Sequence, residues 1–259
     1  MNEASKLTRK ESASSRWKSY HDRPSYVEHL GSHRQYWRDI ILAVNDGLVS
    51  TFFLVSGVAG GGIDMHTILL TAISGGIAGA ISMGAGEYIA TKSQDDVMKG
   101  EITVEKSHIK RYQSFELMEL HELLPIIGLD PEQDGDLFHR VVQHYRSNDD
   151  ALLKVMIALE FGVIEEERRN PWKAAFFSFL LFFIGALPSI VSFAFVDSTH
   201  MGLIAAATAV GISLVVVGAI KAYATRGKWY EAAFENLAVA AGGGVAAFTV
   251  GYGFQNIMA

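Results

Sequence analysis

Five stretches of the chain are each long and apolar enough to cross a lipid bilayer, and no other feature narrows the fold so far. A hydrocarbon core of about 30 Å needs roughly 20 mostly apolar helical residues. Residues 39–60, 67–90, 174–196, 201–223 and 232–257 meet that requirement. A single such block is also compatible with a buried helix of a large soluble protein, but five in 259 residues are not a soluble pattern. The chain is 49% hydrophobic and only 19% charged. It has no cysteine, which excludes disulfides, thiolate metal sites and cysteine nucleophiles. A net charge of −6 gives no reason to expect a nucleic-acid partner. The first 38 residues are hydrophilic and lack the apolar core of a signal peptide, so a cleaved secretory precursor is not expected.

Orientation is read from the basic residues. All 22 Lys and Arg lie before the first span, between the second and third, or around the connection of the fourth and fifth. The short connections 61–66 and 197–200 carry none. The positive-inside rule makes the basic side cytosolic. The N-terminus and the middle of the chain are then inside, and the C-terminus is outside. Trp37, Trp172 and Trp229 fall at cytosolic ends, where interfacial anchors belong. The expected fold is an all-α membrane protein of five transmembrane helices, with a cytosolic helical domain inserted between the second and third. The divisions are 1–33 as a flexible N-terminus, 34–92 as spans one and two, 93–170 as the insert and 171–259 as spans three to five.

The insert holds 17 of the 28 Asp and Glu. Helices are expected at about 93–113, 115–126, 131–146 and 149–162, the first as a direct continuation of the second span. The sequence Gly128-Leu129-Asp130-Pro131 marks a turn and a helix start. Glu105 and His108 form Glu-x-x-His, and Glu116, Glu119 and Glu122 recur every third residue. Residues three apart are neighbours on a helix surface. Carboxylates and imidazole on facing helices build divalent-metal sites, and this donor set suits Fe²⁺, Mn²⁺, Co²⁺ or Zn²⁺. The same spacing equally describes a solvated acidic face. Met156 and Glu160 form an i,i+4 pair. Methionine at that spacing is ordinarily core, whereas Glu160, in an apolar stretch, needs a partner or solvent.

Within the spans, Asp46 is the odd residue of the first. An ionisable group at membrane depth is costly unless it faces water or a partner. Asn45 beside it adds a donor and an acceptor. In the second span Ala72, Gly76, Ala80 and Gly84 form a small-residue stripe suited to close helix approach. Met83 and Glu87 share another face, where a thioether above a carboxylate favours a borderline divalent cation over Mg²⁺ or Ca²⁺. Pro188 interrupts the backbone bonding of the third span, and Lys221 is expected to snorkel to the interface.

The run RDIILAVNDGLVSTFFLVSGVAG, followed by GAISMGAGEYIATKSQ, resembles the vacuolar iron transporter family, including its bacterial and archaeal members. The resemblance covers roughly residues 34–257. It implies a homodimer of five-helix subunits with the translocation path at the dimer interface, and proton-coupled export of Fe²⁺ from the cytosol. By motif it places the pore aspartate on Asp46 and the pore methionine on Met83. Counting onward, it places metal-binding glutamates on Glu105, Glu116 and Glu119, and a fourth ligand on His108. The later Met and Glu ligands fall on Met156 and Glu160. One departure stands out: plant members carry a membrane glutamate where this chain has Gly75, and Glu87 is a substitute carboxylate nearer the cytosol. The GEY form resembles bacterial members, which implies a plasma (inner) membrane; a eukaryotic source would imply a vacuolar-type membrane.

The leading expectation is therefore a transporter rather than an enzyme. Its partners are divalent metal ions, protons, the bilayer and a second copy, and no prosthetic group is implied. Two alternatives fit the residues less well. A membrane-tethered di-iron or ferritin-like oxidase requires two Glu-x-x-His motifs and two further glutamates, and only Glu105-x-x-His108 is present. A metal-sensing membrane protein leaves Asp46 and Met83 without a role.

Overall fold

The computed structural model describes residues 34–162 and 169–258. The expectation of a flexible segment over 1–33 lies outside them. The described residues form seven α-helices and a short 3-10 turn, with no strand among them. These helices are α1 (Arg34–Gly60), α2 (Met65–Leu123), α3 (Gly135–Arg146), α4 (Asp149–Glu160), α5 (Pro171–Ala194), α6 (Thr199–Thr225) and α7 (Trp229–Met258). Helices α1, α2, α5, α6 and α7 contain the five apolar stretches, and each is long and apolar enough to cross a membrane. The protein is a multi-pass membrane protein.

The helix starts follow local chemistry. Asp64 caps α2, accepting from the Thr67 amide at 3.1 Å and its hydroxyl at 2.6 Å. Asn170 caps α5 through the amides of Trp172 (3.0 Å) and Lys173 (3.2 Å), with Pro171 in the first turn. Arg226 ends α6 in a left-handed conformation, φ 55°. Helix α5 continues through Pro188 to Ala194.

Small residues set the helix contacts. The α2 stripe Ala72, Gly76, Ala80 and Gly84 is buried, and two of its members show against what. A Cβ on Gly76 would meet Ile190 and Ala186, and one on Gly84 would meet Ala175 and Phe179, all of α5. Where α1 crosses α5 the backbones nearly touch. A Cβ on Gly185 would stand 2.4 Å from the Val44 carbonyl oxygen and 3.0 Å from the Leu48 nitrogen. Such approach is open only to glycine. Phe52, Val55, Ile68, Phe193, Val210 and Leu214 fill the core between the spans.

Helix α2 is 59 residues long. At 1.5 Å per residue it would measure close to 90 Å if straight, about three times the hydrocarbon thickness. Only its first part can lie in a bilayer. Its regular geometry breaks once, at Tyr112 (φ −137°, ψ 37°), one residue before the expected end of the helix at 93–113 and close to the junction with the one expected at 115–126. Past this break the helix ends in the turn Leu124–Ile127, closed by Gly128 at φ 87°.

A second apolar core lies here. Ile109, Leu117, Leu120, Leu124, Phe138, Leu152 and Met156 are buried against one another. Burying each aliphatic side chain contributes about 1.5–3 kcal/mol, which holds the segments either side of Tyr112 to α3 and α4. The helix expected to start at 131 starts at Gly135 instead. The carboxylate of Asp130 accepts from the amides of Glu132 (2.8 Å) and Gln133 (3.3 Å), so residues 131–134 are held in a turn.

Candidate metal-binding sites

Two places bring the singled-out residues together. The first is a cavity of about 590 Å³ between α1, α2 and α5. Asp46, Ser50, Thr51 and Leu54 of α1 line it, with Met83 and Glu87 among the residues from α2 and Phe182 from α5. The α2 lining residues also include Gly75, Gly79, Ser82 and Gly86, so Met83 and Glu87 are the bulky side chains of that wall. Asp46 is exposed in the single chain. Its backbone carbonyl accepts from the Ser50 hydroxyl. Asn45 is outside the cavity lining; its Oδ1 is enclosed without a hydrogen bond. Gly75, where the resemblance expects a glutamate in plant members, is covered: a Cβ there would sit 2.3 Å from Leu54 Cδ2.

Glu87 is not a free carboxylate. Its Oε1 accepts from the Thr91 hydroxyl at 3.2 Å and from Arg169 Nη1 at 3.5 Å. The same guanidinium donates through Nη2 to Asp39 Oδ2 on α1. Sequence reading missed Arg169 and Asp39 as site residues. Asp39 enters the sequence reading only as the start of a span, and Arg169 only among the basic residues between the second and third spans. An acid at the edge of an apolar stretch, and a basic residue directly ahead of another helix cap, is the signal that was there.

The second place is at the break in α2. Residues 105 and 116 would stand roughly 16 Å apart along an unbroken helix. Across Tyr112 they instead meet: ligand atoms of Glu105, His108 and Glu116 all lie within 4.8 Å of one another. His108 Nδ1 is 3.3 Å from Glu116 Oε1. Glu105 and Glu116 are both 5% exposed, and Glu105 Oε1 and Glu116 Oε2 are enclosed without a hydrogen bond. Two buried carboxylates with orphaned oxygens beside an imidazole are a costly arrangement without a cation or protons to compensate. The electrostatics agree. Burial first, then the charge and shared hydrogen bond of Glu116, then the charge of Glu119, push the Glu105 carboxyl up to about 7. Glu160, at the end of α4, is pushed up to about 8, by burial first, then a hydrogen bond shared with Glu119, then the charges of Glu105, Glu119 and Glu116. Glu119 is exposed. Met156 is fully buried in the insert's apolar core, one turn before Glu160. Glu122 and His121 are exposed.

Elsewhere, Lys221 does not merely reach for the interface. Its Nζ donates to Glu235 Oε2 at 3.1 Å, linking α6 to α7.

Comparison with known proteins places this geometry in context. The sequence model of the VIT family matches residues 37–252. Vacuolar iron transporter 1 of Eucalyptus grandis is 29% identical over 219 residues, covering 85% of this chain and 86% of that protein. Vacuolar iron transporter 1 of Tulipa gesneriana is 30% identical over 220 residues, with 85% and 87% coverage. Vacuolar iron transporter 2 of Oryza sativa subsp. japonica is likewise 30% identical over 220 residues, with 85% and 88% coverage.

Proposed function

The chain belongs to the VIT family, and from that premise we propose that it carries ferrous iron, with Mn²⁺ as a second cargo, out of the cytosol in exchange for protons. The relatives it matches are named as iron transporters, which sets the oxidase reading aside. The observation that carries the reading is the shared cavity of Asp46 and Met83 inside the apolar part of the helices.

A divalent ion entering a low-dielectric path loses much of its hydration, and fixed charge must replace it. Asp46 supplies that charge. Met83 adds a polarizable thioether, which discriminates against Mg²⁺ and Ca²⁺. A carboxylate of this kind holds either a proton or a metal ion, because a nearby cation favours its charged form and burial favours the neutral one. That competition is the basis for antiport through Asp46, with no second membrane carboxylate at Gly75.

In this reading the chain is a homodimer. Asp46 is exposed on the apolar surface of a single copy, and so are Ile73, Ile77 and Ile81 of α2. An exposed carboxylate among lipid tails is costly, and a second copy closing the cavity removes that cost. The basic residues put the insert and the N-terminus in the cytosol and the C-terminus outside. The insert then gathers metal on Glu105, His108, Glu116, Glu119 and Glu160, with Met156 supporting from the core.

The test is Fe²⁺ flux into proteoliposomes, with an internal pH dye. Asp46→Asn keeps shape and hydrogen bonding while removing the charge and the proton. It is expected to leave a folded protein whose flux and metal-driven proton movement fall to background. Normal flux in that variant would make Asp46 a structural residue and end the proposed path.

A further inference from the structure

Three helices meet at one buried charge. Arg169 precedes the Asn170 cap, so its backbone is anchored to the start of α5. Its side chain, 9% exposed, reaches Asp39 on α1 and Glu87 on α2. The two carboxylates are nearly as enclosed, at 10% and 15%. Asp39 Oδ1 also accepts from Arg38 Nε and Nη2, each at 3.2 Å.

The place of this cluster matters. Glu87 lines the cavity one turn after Met83 on α2, in the direction that leads along the helix to Glu105. A cation moving between the insert and Met83 along α2 therefore meets Glu87, and meets it already neutralised by a guanidinium. We infer that Arg169 is a positioning residue that closes this end of the cavity: an internal cation which a divalent ion must displace from Glu87 to pass.

The contact to Glu87 is long, at 3.5 Å, and that gives the device its direction. Asp39, on α1, holds the same guanidinium from the other side. The guanidinium releases Glu87 first and stays on Asp39. The freed carboxylate, still bonded by Thr91, then faces the ion. Between ions the guanidinium returns, which leaves Glu87 compensated and bars monovalent cations too weakly attracted to compete.

This inference rests on the proposed transport, and the experiment separates the two. Kinetics are measured on the full chain in proteoliposomes over a range of Fe²⁺ concentrations. Arg169→Gln uncovers Glu87, so KM is expected to fall on the order of tenfold, with a smaller drop in kcat as ions are held longer. Asp39→Asn has the opposite sign: Arg169 loses a competing carboxylate, its hold on Glu87 strengthens and KM rises several-fold. Arg169→Lys, with one point donor in place of a fork, lies between wild type and Arg169→Gln. A clamp that merely ties the helices together would lower folded yield or kcat in all three variants and leave KM in place. As a readout independent of flux, Mn²⁺ is titrated by electron paramagnetic resonance into the detergent-solubilised full chain carrying Glu116→Gln and Glu119→Gln. Adding Arg169→Gln is expected to tighten binding by a similar factor. If Arg169→Gln does not fold, Asp39→Asn carries the test alone. Wild-type protein without flux would defeat the transport reading. Wild-type flux with KM unmoved in Asp39→Asn and Arg169→Gln would overturn this inference only.

Discussion

Metal binding at the insert should expel protons, and the number expelled should depend steeply on pH. Glu105 titrates near 7 and Glu160 near 8, against an ordinary value of 4.5 for each. At pH 6 both are almost fully protonated, so an arriving Mn²⁺ must displace about two protons. At pH 7 it displaces between one and two, at pH 8 about half of one, and at pH 9 almost none. The apparent affinity gains one decade per pH unit for each proton displaced, so it should climb on the order of two to three decades between pH 6 and pH 8. The sign for stability follows from the same values. The folded metal-free site holds protons that the unfolded chain has already released. Its contribution is therefore fully present below about 4.5 and is lost as pH rises through about 7 and 8. Metal restores stability over that same window. The assay is calorimetric titration of the full chain with Mn²⁺ in pairs of buffers differing in ionisation enthalpy, which counts protons directly. Glu160→Gln should lower the count by about one proton at pH 6 and 7 and by about half of one at pH 8, leaving the part owed to Glu105. A proton count near zero at pH 6 and 7, with metal bound, would refute the argument that these carboxyls are held neutral by burial and mutual repulsion.

Met83→Leu keeps volume and removes only the thioether; the ratio of Fe²⁺ to Mg²⁺ flux should fall, with total rate reduced less than in Asp46→Asn. Glu116→Gln with Glu119→Gln should weaken insert binding of Mn²⁺ by at least tenfold while flux falls without vanishing, and an unchanged titration would return the cluster to a solvated acidic face. Gly185→Ala drives a methyl into the backbone of α1, so a loss of about 1–3 kcal/mol or more is expected, seen as a lower melting temperature in detergent. A reporter active only in the cytosol, fused after Ala259, should be silent; strong signal would reverse the topology argued from the basic residues.

The spans were legible because apolar length is a one-dimensional property, and a bilayer reads it the same way. The extension of the second span was legible too. From residue 91 to the break at Tyr112 the chain has a single glycine and no proline, so nothing ends the helix. The stripe from Ala72 to Gly84 could be read because one helix face is enough to define it. Other features depend on which distant segments meet, and local spacing carries no such information. The partners of Arg169 lie 130 and 82 residues away. The approach of Glu105 to Glu116 needs the kink at Tyr112, a residue with no unusual chemistry of its own; the core of Ile109, Leu117 and Phe138 draws together residues from either side of it. The delayed start of α3 came from Asp130, whose side chain bonds amides that a helix would have left open.

The unbroken stretch of α2 between Met83 and Glu105 has a mechanical meaning. Twenty-two residues of regular helix form a strut of about 33 Å, stiff over that length because every backbone bond runs along it. One end borders the cavity and the other carries a carboxylate beside the bend. A tilt of about five degrees at one end displaces the other by about 3 Å, roughly the difference between a metal ligand in place and one out of reach. Any change in the bend at Tyr112 would therefore be carried along the strut to Met83 and Glu87 in the cavity lining.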